Sequence, residues 1–540
     1  MRRAKCRRDA GASKNGCAFR WFGLLQRASL NTSIQVAIAL LPFAVLFSAF
    51  LAFKMNALQA CFCAWVLEVA VVLTYYHMPL LRSLESFLWG DLVMWSGFVV
   101  LYAGQVFGQS YRSTGLLEML LESVQSILPS WDIQGRSFAL VTVVGGFIGA
   151  FNGFATYPVT IPGLVDLGFD GVLACTSYLV YFSWTLAFNS LFIAPTITNA
   201  ASHVPIVDIV RVAGLLTIPL VYLSLLGFLK ILGFRFFERR CQLLFWSLGT
   251  GNALALLLFT VVWPAYYIVT MIAGAAMSLG ALYVYGRSAK RQDVAGALAA
   301  ADPPMEKPRT TGSTLLNAYA PLVLGIIIVL LTRVHAVAEL LAHSQFSVAA
   351  WGYSRVSVNI LTTSGFFILI TAFVCYFFRS KQANALKDLV IATKRSRTSL
   401  GTLLLGSGTV YLMVDTGQIA LLGRILSSGG KMIYASFYPV VAFLGGMAFG
   451  QGLPGDFLLS QMQVRVASAL GIPLMVLVGI VTAVTMGPPN AVKPTQIAFT
   501  ASLANVEGRD GEIFRICLPW VLLQLVVTAV FAVVVVLLWR

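Results

Sequence analysis

The feature that most restricts the fold of this chain is a succession of long apolar runs. They lie near 33–53, 56–76, 88–107, 138–157, 171–194, 212–233, 241–262, 265–286, 315–332, 358–378, 399–422, 434–450, 470–488 and 516–538, which makes 14 hydrophobic segments. Runs of about 20 residues match the length a helix needs to cross roughly 30 Å of hydrocarbon. Lipid offers no partners for backbone amides and carbonyls, so spanning segments of this length must be helical. With 58% hydrophobic residues, 11% charged residues and a mean hydropathy of +0.84, an ordinary soluble domain is excluded. The expectation is an all-α polytopic membrane protein with about 12–14 hydrophobic segments, the broken ones being re-entrant rather than spanning.

The net charge of +16 does not point to nucleic acid, because the basic residues sit in short loops between apolar runs. Clusters at Arg2–Arg20, Lys230–Arg240, Arg287–Arg309 and Arg379–Arg397 are separated by even numbers of runs, so all fall on one side. The positive-inside bias makes that side cytoplasmic, and the N-terminus with it, in an inner-membrane topology. No small-residue cleavage site follows the first run, so residues 1–32 are expected as an uncleaved basic cytoplasmic tail. A first membrane half is expected at 33–286 and a second at 313–540, joined by a cytoplasmic linker at 287–312, rich in Ala, Pro and charge. Residues 113–128 read as an amphipathic interfacial helix with Glu118 and Glu122 on one face.

Eight scattered cysteines support neither a disulfide framework nor a zinc site and read as small packing residues. The four histidines lie near segment ends without metal-ligand spacing, and no phosphate loop or Ser/His/Asp order is present. No metal, cofactor or catalytic group is therefore expected, and the oligomeric state is not readable.

Two stretches interrupt the apolar pattern with glycine and proline, at Gly445–Asp456 and Gly487–Thr495. Such breaks free backbone groups that persist at membrane depth only inside protein or beside a wet cavity, the usual construction of a solute site. The first half carries matching signals. Gly145-Gly146 corresponds to Gly445-Gly446, Gly153 to Gly452, Pro195-Thr196 to Pro494-Thr495 and Ala201-Ser202 to Ala501-Ser502, at a constant offset of 299–300 residues. Two structural repeats, parallel or inverted, are expected, with the site at their seam.

The stretch Ala442–Arg515 resembles the L-lactate permease family. GQGLPGDFLLSQMQ at 450–463 stands where that family has a Gly/Ser/Asn-rich loop before Leu-Gln. NAVKPTQIA at 490–498 is similar to its Lys-Met-Ile-Ser-Pro-Gln-Ser-Ile-Ala block, and EGRDGEIFR at 507–515 to its Gly-Arg-Glu-Gly turn. In the first half GFATYPVTIPGLVDLGF, 153–169, resembles its Gly-Phe-Gly-Thr-Pro-Val-Ala run. This member is divergent. Gly149 stands near the place of a family glutamate, and Lys493-Pro494-Thr495 replaces Ser-Pro-Gln.

The resemblance implies uptake of a proton with lactate or a related small 2-hydroxy monocarboxylate. The alternatives are another organic anion, coupling to sodium, or a non-transporting membrane paralogue or enzyme. For a carboxylate, Lys493 in the second break supplies an ammonium, with Thr495, Gln496 and Asn490 as hydrogen-bonding neighbours. Across the pocket the expected counterparts are Asn152, Thr156, Tyr157 and Thr196, with Asn189 between them. Ionisable groups in apolar runs are costly and therefore functional candidates. Asp456 is the first candidate for carrying the proton, or else a counter-ion of Lys493. Glu68 and Asp415 follow, the latter with Arg424 as a possible ion-pair partner, and Asp91 and Asp166 complete the set.

Overall fold

A computed structural model describes residues 32–119, 133–293, 312–331, 343–448 and 452–539, apart from 52, 54, 56, 152, 191, 354, 355 and 380, and includes 337, 339 and 341. The basic tail, most of the linker and most of the segment 113–128 lie outside the described residues. Glu118, which is described, pairs with Lys381 at 3.1 Å.

Each apolar run carries a helix. The first half begins with α1 (Thr32–Leu51), α2 (Ala57–Thr74), α3 (Leu80–Val93) and α4 (Trp95–Ser113). It continues through α5 (Ile133–Phe151), α6 (Tyr157–Asp166), α7 (Gly171–Phe182), α8 (Ile193–Ser202) and α9 (Ile206–Ile231). Next come α10 (Arg239–Val262) and α11 (Thr270–Asp293), which runs on into the expected linker. After α12 (Gly312–Leu331), the strands β1 (Phe346–Val348) and β2 (Val356–Val358) pair antiparallel ahead of α13 (Ser364–Val374). The chain ends with α14 (Ala385–Asp415), α15 (Gln418–Ser427), α16 (Lys431–Ala448), α17 (Gly452–Leu470), α18 (Leu474–Thr485), α19 (Pro494–Leu503) and α20 (Asp510–Leu538). Among the described residues six helices are long and apolar enough to span a membrane, and the pair α3–α4, bent by 55°, makes a seventh.

The order of elements around the breaks recurs. The series α6, α7, break, α8, α9 is followed roughly 300 residues later by α17, α18, break, α19, α20. The two sets clasp each other. Helix α8 packs on α17 and α18, while α19 packs on α6 and α7; α9 lies against α18 and α20 against α7. An ion pair between Asp170 and Arg509 at 3.5 Å ties the start of α7 to the start of α20.

Local chemistry explains the boundaries. The Asp170 carboxylate caps α7 by accepting from the Val172 amide at 2.9 Å, and Asn384 caps α14 by accepting from the Leu386 and Lys387 amides. Left-handed Gly417 (φ 80°) separates α14 from α15. Helices α7 and α18 are buried over nearly their whole length, whereas α20 turns Leu523, Val526, Val530, Val534 and Leu537 outward, the stripe expected of a lipid-facing helix. Buried threonines return their hydroxyls to carbonyls one turn back, as Thr176, Thr217 and Thr260 do, so they add no unsatisfied donor.

One run departs from its expected form. The segment 171–194 is not one helix but α7, a broken stretch at 183–192 and the start of α8. The break is made by Ser190 (φ 52°) and Phe192 (φ 63°), both left-handed without being glycine. Pro195 lies in the first turn of α8, where its missing amide hydrogen costs nothing. The second break uses other means. Gly487 leaves the helical region (φ −88°, ψ −104°) and Pro488-Pro489 follows before α19 begins at Pro494.

Candidate functional site

The two breaks meet. The turn Pro488–Ala491 packs on α7 and the turn Thr185–Ala187 on α18. A Cβ placed on Gly487 would lie 3.1 Å from the Ser183 carbonyl oxygen, so glycine permits this approach. The hairpin α16–α17 closes equally tightly, since a Cβ on Gly455 would lie 2.2 Å from the Gly445 carbonyl oxygen.

Lys493 sits immediately before α19 and is 1% exposed. Its Nζ donates to Asn490 Oδ1 at 3.0 Å, and Asn490 Nδ2 donates in turn to the Met486 carbonyl. No carboxylate lies within ion-pair distance of this ammonium among the described residues. In the first turn of α19, the buried Gln496 has Nε2 without a hydrogen-bond partner. Thr495 lies in that same turn, and its side chain is outside the described residues.

Asp456, in the first turn and a half of α17, is fully buried. Thr198 Oγ1 of α8 donates to its Oδ2 and Thr485 Oγ1 of α18 to its Oδ1, each at 3.0 Å. Thr482 Oγ1 meets Thr198 Oγ1 at 2.8 Å. Asp456 is therefore not the counter-ion of Lys493. Its partners are hydroxyls, one of them from the opposite half, and that half could not be inferred from its neighbours in sequence.

The first-half candidates divide. Thr156 Oγ1 donates to the Gly153 carbonyl at 2.6 Å and Thr196 Oγ1 to the Phe192 carbonyl at 2.9 Å, so both hydroxyl protons repair local backbone. Tyr157 is buried among rings, with Tyr178 at 5.3 Å, Phe182 at 4.9 Å and Phe499 of α19 at 5.9 Å. Asn152 lies outside the described residues. Asn189, 1% exposed, donates from Nδ2 to Thr185 Oγ1 at 2.9 Å and leaves Oδ1 without a partner.

Four further acids lie away from the Lys493 and Asp456 contacts. Glu68 of α2 is fully buried and accepts from Gln418 Nε2 at 2.5 Å, at the start of α15. Asp415 ends α14, where Tyr353 of the β1–β2 turn donates to it and Arg82 stands at 3.6 Å, stacked over the Tyr353 ring at 4.3 Å. Its ion-pair partner is thus Arg82, not Arg424, because the left-handed turn at Gly417 redirects α15. Asp91 accepts from Ser407 Oγ at 2.6 Å, and Asp166 is exposed at the end of α6.

The residues that the sequence did not single out are Thr198, Thr482 and Thr485. Thr482 and Thr485 stand three apart in an otherwise apolar helix, a spacing that puts both on one face and was the available signal. Among the described residues no group of three or more His, Cys, Asp or Glu is placed to hold a metal.

Fold and site define a polytopic helical membrane protein with paired helix breaks enclosing buried ionisable groups. The family model for L-lactate permease matches residues 35–539, and the chain belongs to that family. Curated relatives align over a shorter stretch. The L-lactate permease of Salmonella typhi is 27% identical over 191 residues, 34% of this chain and 33% of the relative. That of Escherichia coli K12 is 26% identical over the same length. The alignment thus spans about a third of these relatives. Among solved structures, the YdaH transporter of Alcanivorax borkumensis is similar at a TM-score of 0.37 with 15% identity, over 84% of this chain and 88% of that one. MtrF of Neisseria gonorrhoeae, from a class of antimetabolite efflux pumps, gives 0.38 and 12%, over 87% and 85%.

Proposed function

We propose that the chain is a secondary transporter that takes up lactate, or a related small 2-hydroxy monocarboxylate, together with a proton across the inner membrane. The observation that carries this reading is the buried Lys493 side chain, whose Nζ has Asn490 beside it and no carboxylate within reach among the described residues. A buried cation without a counter-ion is costly by several kcal/mol, and a solute carboxylate relieves that cost on arrival. The orphan Gln496 Nε2 adds a second donor for the same group.

Asp456 carries the proton. Its hydroxyl partners suit both protonation states, because a threonine O–H donates to a carboxylate and its oxygen accepts from a carboxylic acid. The Thr485 hydroxyl also reaches the Val481 carbonyl at 2.7 Å, so it can redirect its proton when Asp456 gains one. Binding the anion at Lys493 and the proton at Asp456 adds no net charge and leaves neither buried group with an unpaired charge in the low-dielectric interior. Glu68 and Asp415 serve the framework around α14 and α15 instead.

The test is uptake of labelled lactate, glycolate and acetate into proteoliposomes, with an inward proton gradient, an inward sodium gradient, or neither. Proton-stimulated uptake of the hydroxy acids is expected. Stimulation by sodium alone overturns the coupling assignment, and uptake of none of the acids overturns transport of monocarboxylates.

A further inference from the structure

Each of the two breaks carries an asparagine, and the two side chains are used alike up to one atom. Asn189 Nδ2 donates to Thr185 Oγ1, four residues back, and Asn490 Nδ2 donates to the Met486 carbonyl, also four residues back. Asn490 Oδ1 then receives the Lys493 ammonium at 3.0 Å. The residue three after Asn189 is Phe192, which has no donor to give, and Asn189 Oδ1 is left without a partner while 1% exposed.

Buried acceptors without donors are rare, so the orphan asks for a ligand. Two backbone amides of this break are committed elsewhere. The Ser190 amide donates to the Gly149 carbonyl at 3.1 Å, and the Gly153 amide to Ser190 Oγ at 3.1 Å. The orphan faces Gly149, where a Cβ would stand 3.1 Å from Oδ1. Among the described residues, one break presents spare donors at Lys493 and Gln496, and the other presents the spare acceptor Asn189 Oδ1 beside the spare donor Trp184 Nε1. A hydroxyl group is the donor that such a buried amide oxygen takes.

We propose that Asn189 Oδ1 accepts the hydrogen bond of the solute's 2-hydroxyl and so sets the preference for hydroxy acids over their deoxy analogues. The proposal rests on the monocarboxylate reading above. It makes Asn189 the specificity-determining residue.

Competition against labelled lactate uptake by the full chain in proteoliposomes tests it. The ratio of inhibition constants for propionate and lactate reads the hydroxyl alone and does not depend on how much protein inserts. A ratio of roughly tenfold or more is expected for the unaltered chain, since a site built around a hydroxyl rejects analogues lacking it. In Asn189→Ala the ratio should fall to within about twofold, through weaker lactate rather than tighter propionate. Gly149→Ala, which crowds Oδ1 without removing it, should lower the ratio too, and it decides the matter if Asn189→Ala does not fold. A ratio unchanged in these variants overturns the proposal and leaves monocarboxylate transport standing. So does an unchanged ratio with altered sodium dependence, the result expected if the carbonyl holds a cation. Uptake of no monocarboxylate by the unaltered chain overturns the transport reading, and this proposal with it.

Discussion

Gln524 Nε2 of α20 donates to Ser224 Oγ of α9 at 2.9 Å, joining two helices whose residues stand 300 positions apart in the chain. The same amide donates to Ser183 Oγ at 2.9 Å, where the first break begins. This glutamine thus ties the start of the first break to α9 and α20. Gln524→Leu should lower stability in detergent by about 1–2 kcal/mol, as measured by thermal unfolding. A cycle with Ser224→Ala should recover a coupling of about 0.6 kcal/mol, the usual size for such bonds between membrane helices. Strict additivity would show that the contact carries no weight.

Lys493→Ala removes the ammonium without opening a backbone contact. Insertion and expression should be unaffected, while the half-saturation concentration for lactate should rise roughly tenfold or more, the loss of one charge-assisted hydrogen bond. Unaltered uptake would reduce Lys493 to an anchor for α19.

Asp456→Asn keeps the shape of the side chain and abolishes its titration. Uptake by the unaltered chain should fall as the outside pH rises, because a proton enters with the anion. In Asp456→Asn that slope and the stimulation by a proton gradient should both vanish, while exchange of lactate for lactate persists. Glu68→Gln, at the Gln418 contact away from the seam, should keep the gradient stimulation within about twofold. The opposite pattern would move the proton site from α17 to α2.

Gly455→Ala places a Cβ 2.2 Å from the Gly445 carbonyl oxygen, a backbone atom that cannot rotate away. Separating α16 from α17 should cost about 1–3 kcal/mol or prevent folding, read as loss of the monodisperse species in detergent. Gly511→Ala on α20, with nothing within 4 Å, should be neutral or slightly stabilising.

The helical membrane fold and the second break were legible because their signals are compositional. Run length marks the helices, and Gly487, Pro488, Pro489 and Pro494 mark the interruption. The first break was not legible in the same way. Pro195-Thr196 marked its far end, but Ser190 and Phe192 adopt left-handed backbone inside an apolar run, Ser190 being held by the Gly149 carbonyl and the Gly153 amide, and no glycine or proline announces those two positions. Lys493 and Asp456 stood out as charges in apolar surroundings, yet their partners did not. Thr198 reaches Asp456 from 258 positions away, a contact that only the clasp of the two halves creates.

That clasp bears on how the chain is made. Helix α8 rests on α17 and α18, which leave the ribosome some 250 residues after it. At roughly 5–20 residues per second the wait is tens of seconds, during which Thr198 and its helix have no finished surface to lie against. Nascent first halves are then the species that chaperones and quality-control proteases meet, and a ribosome stalled before α17 strands a protein that no amount of time can mature.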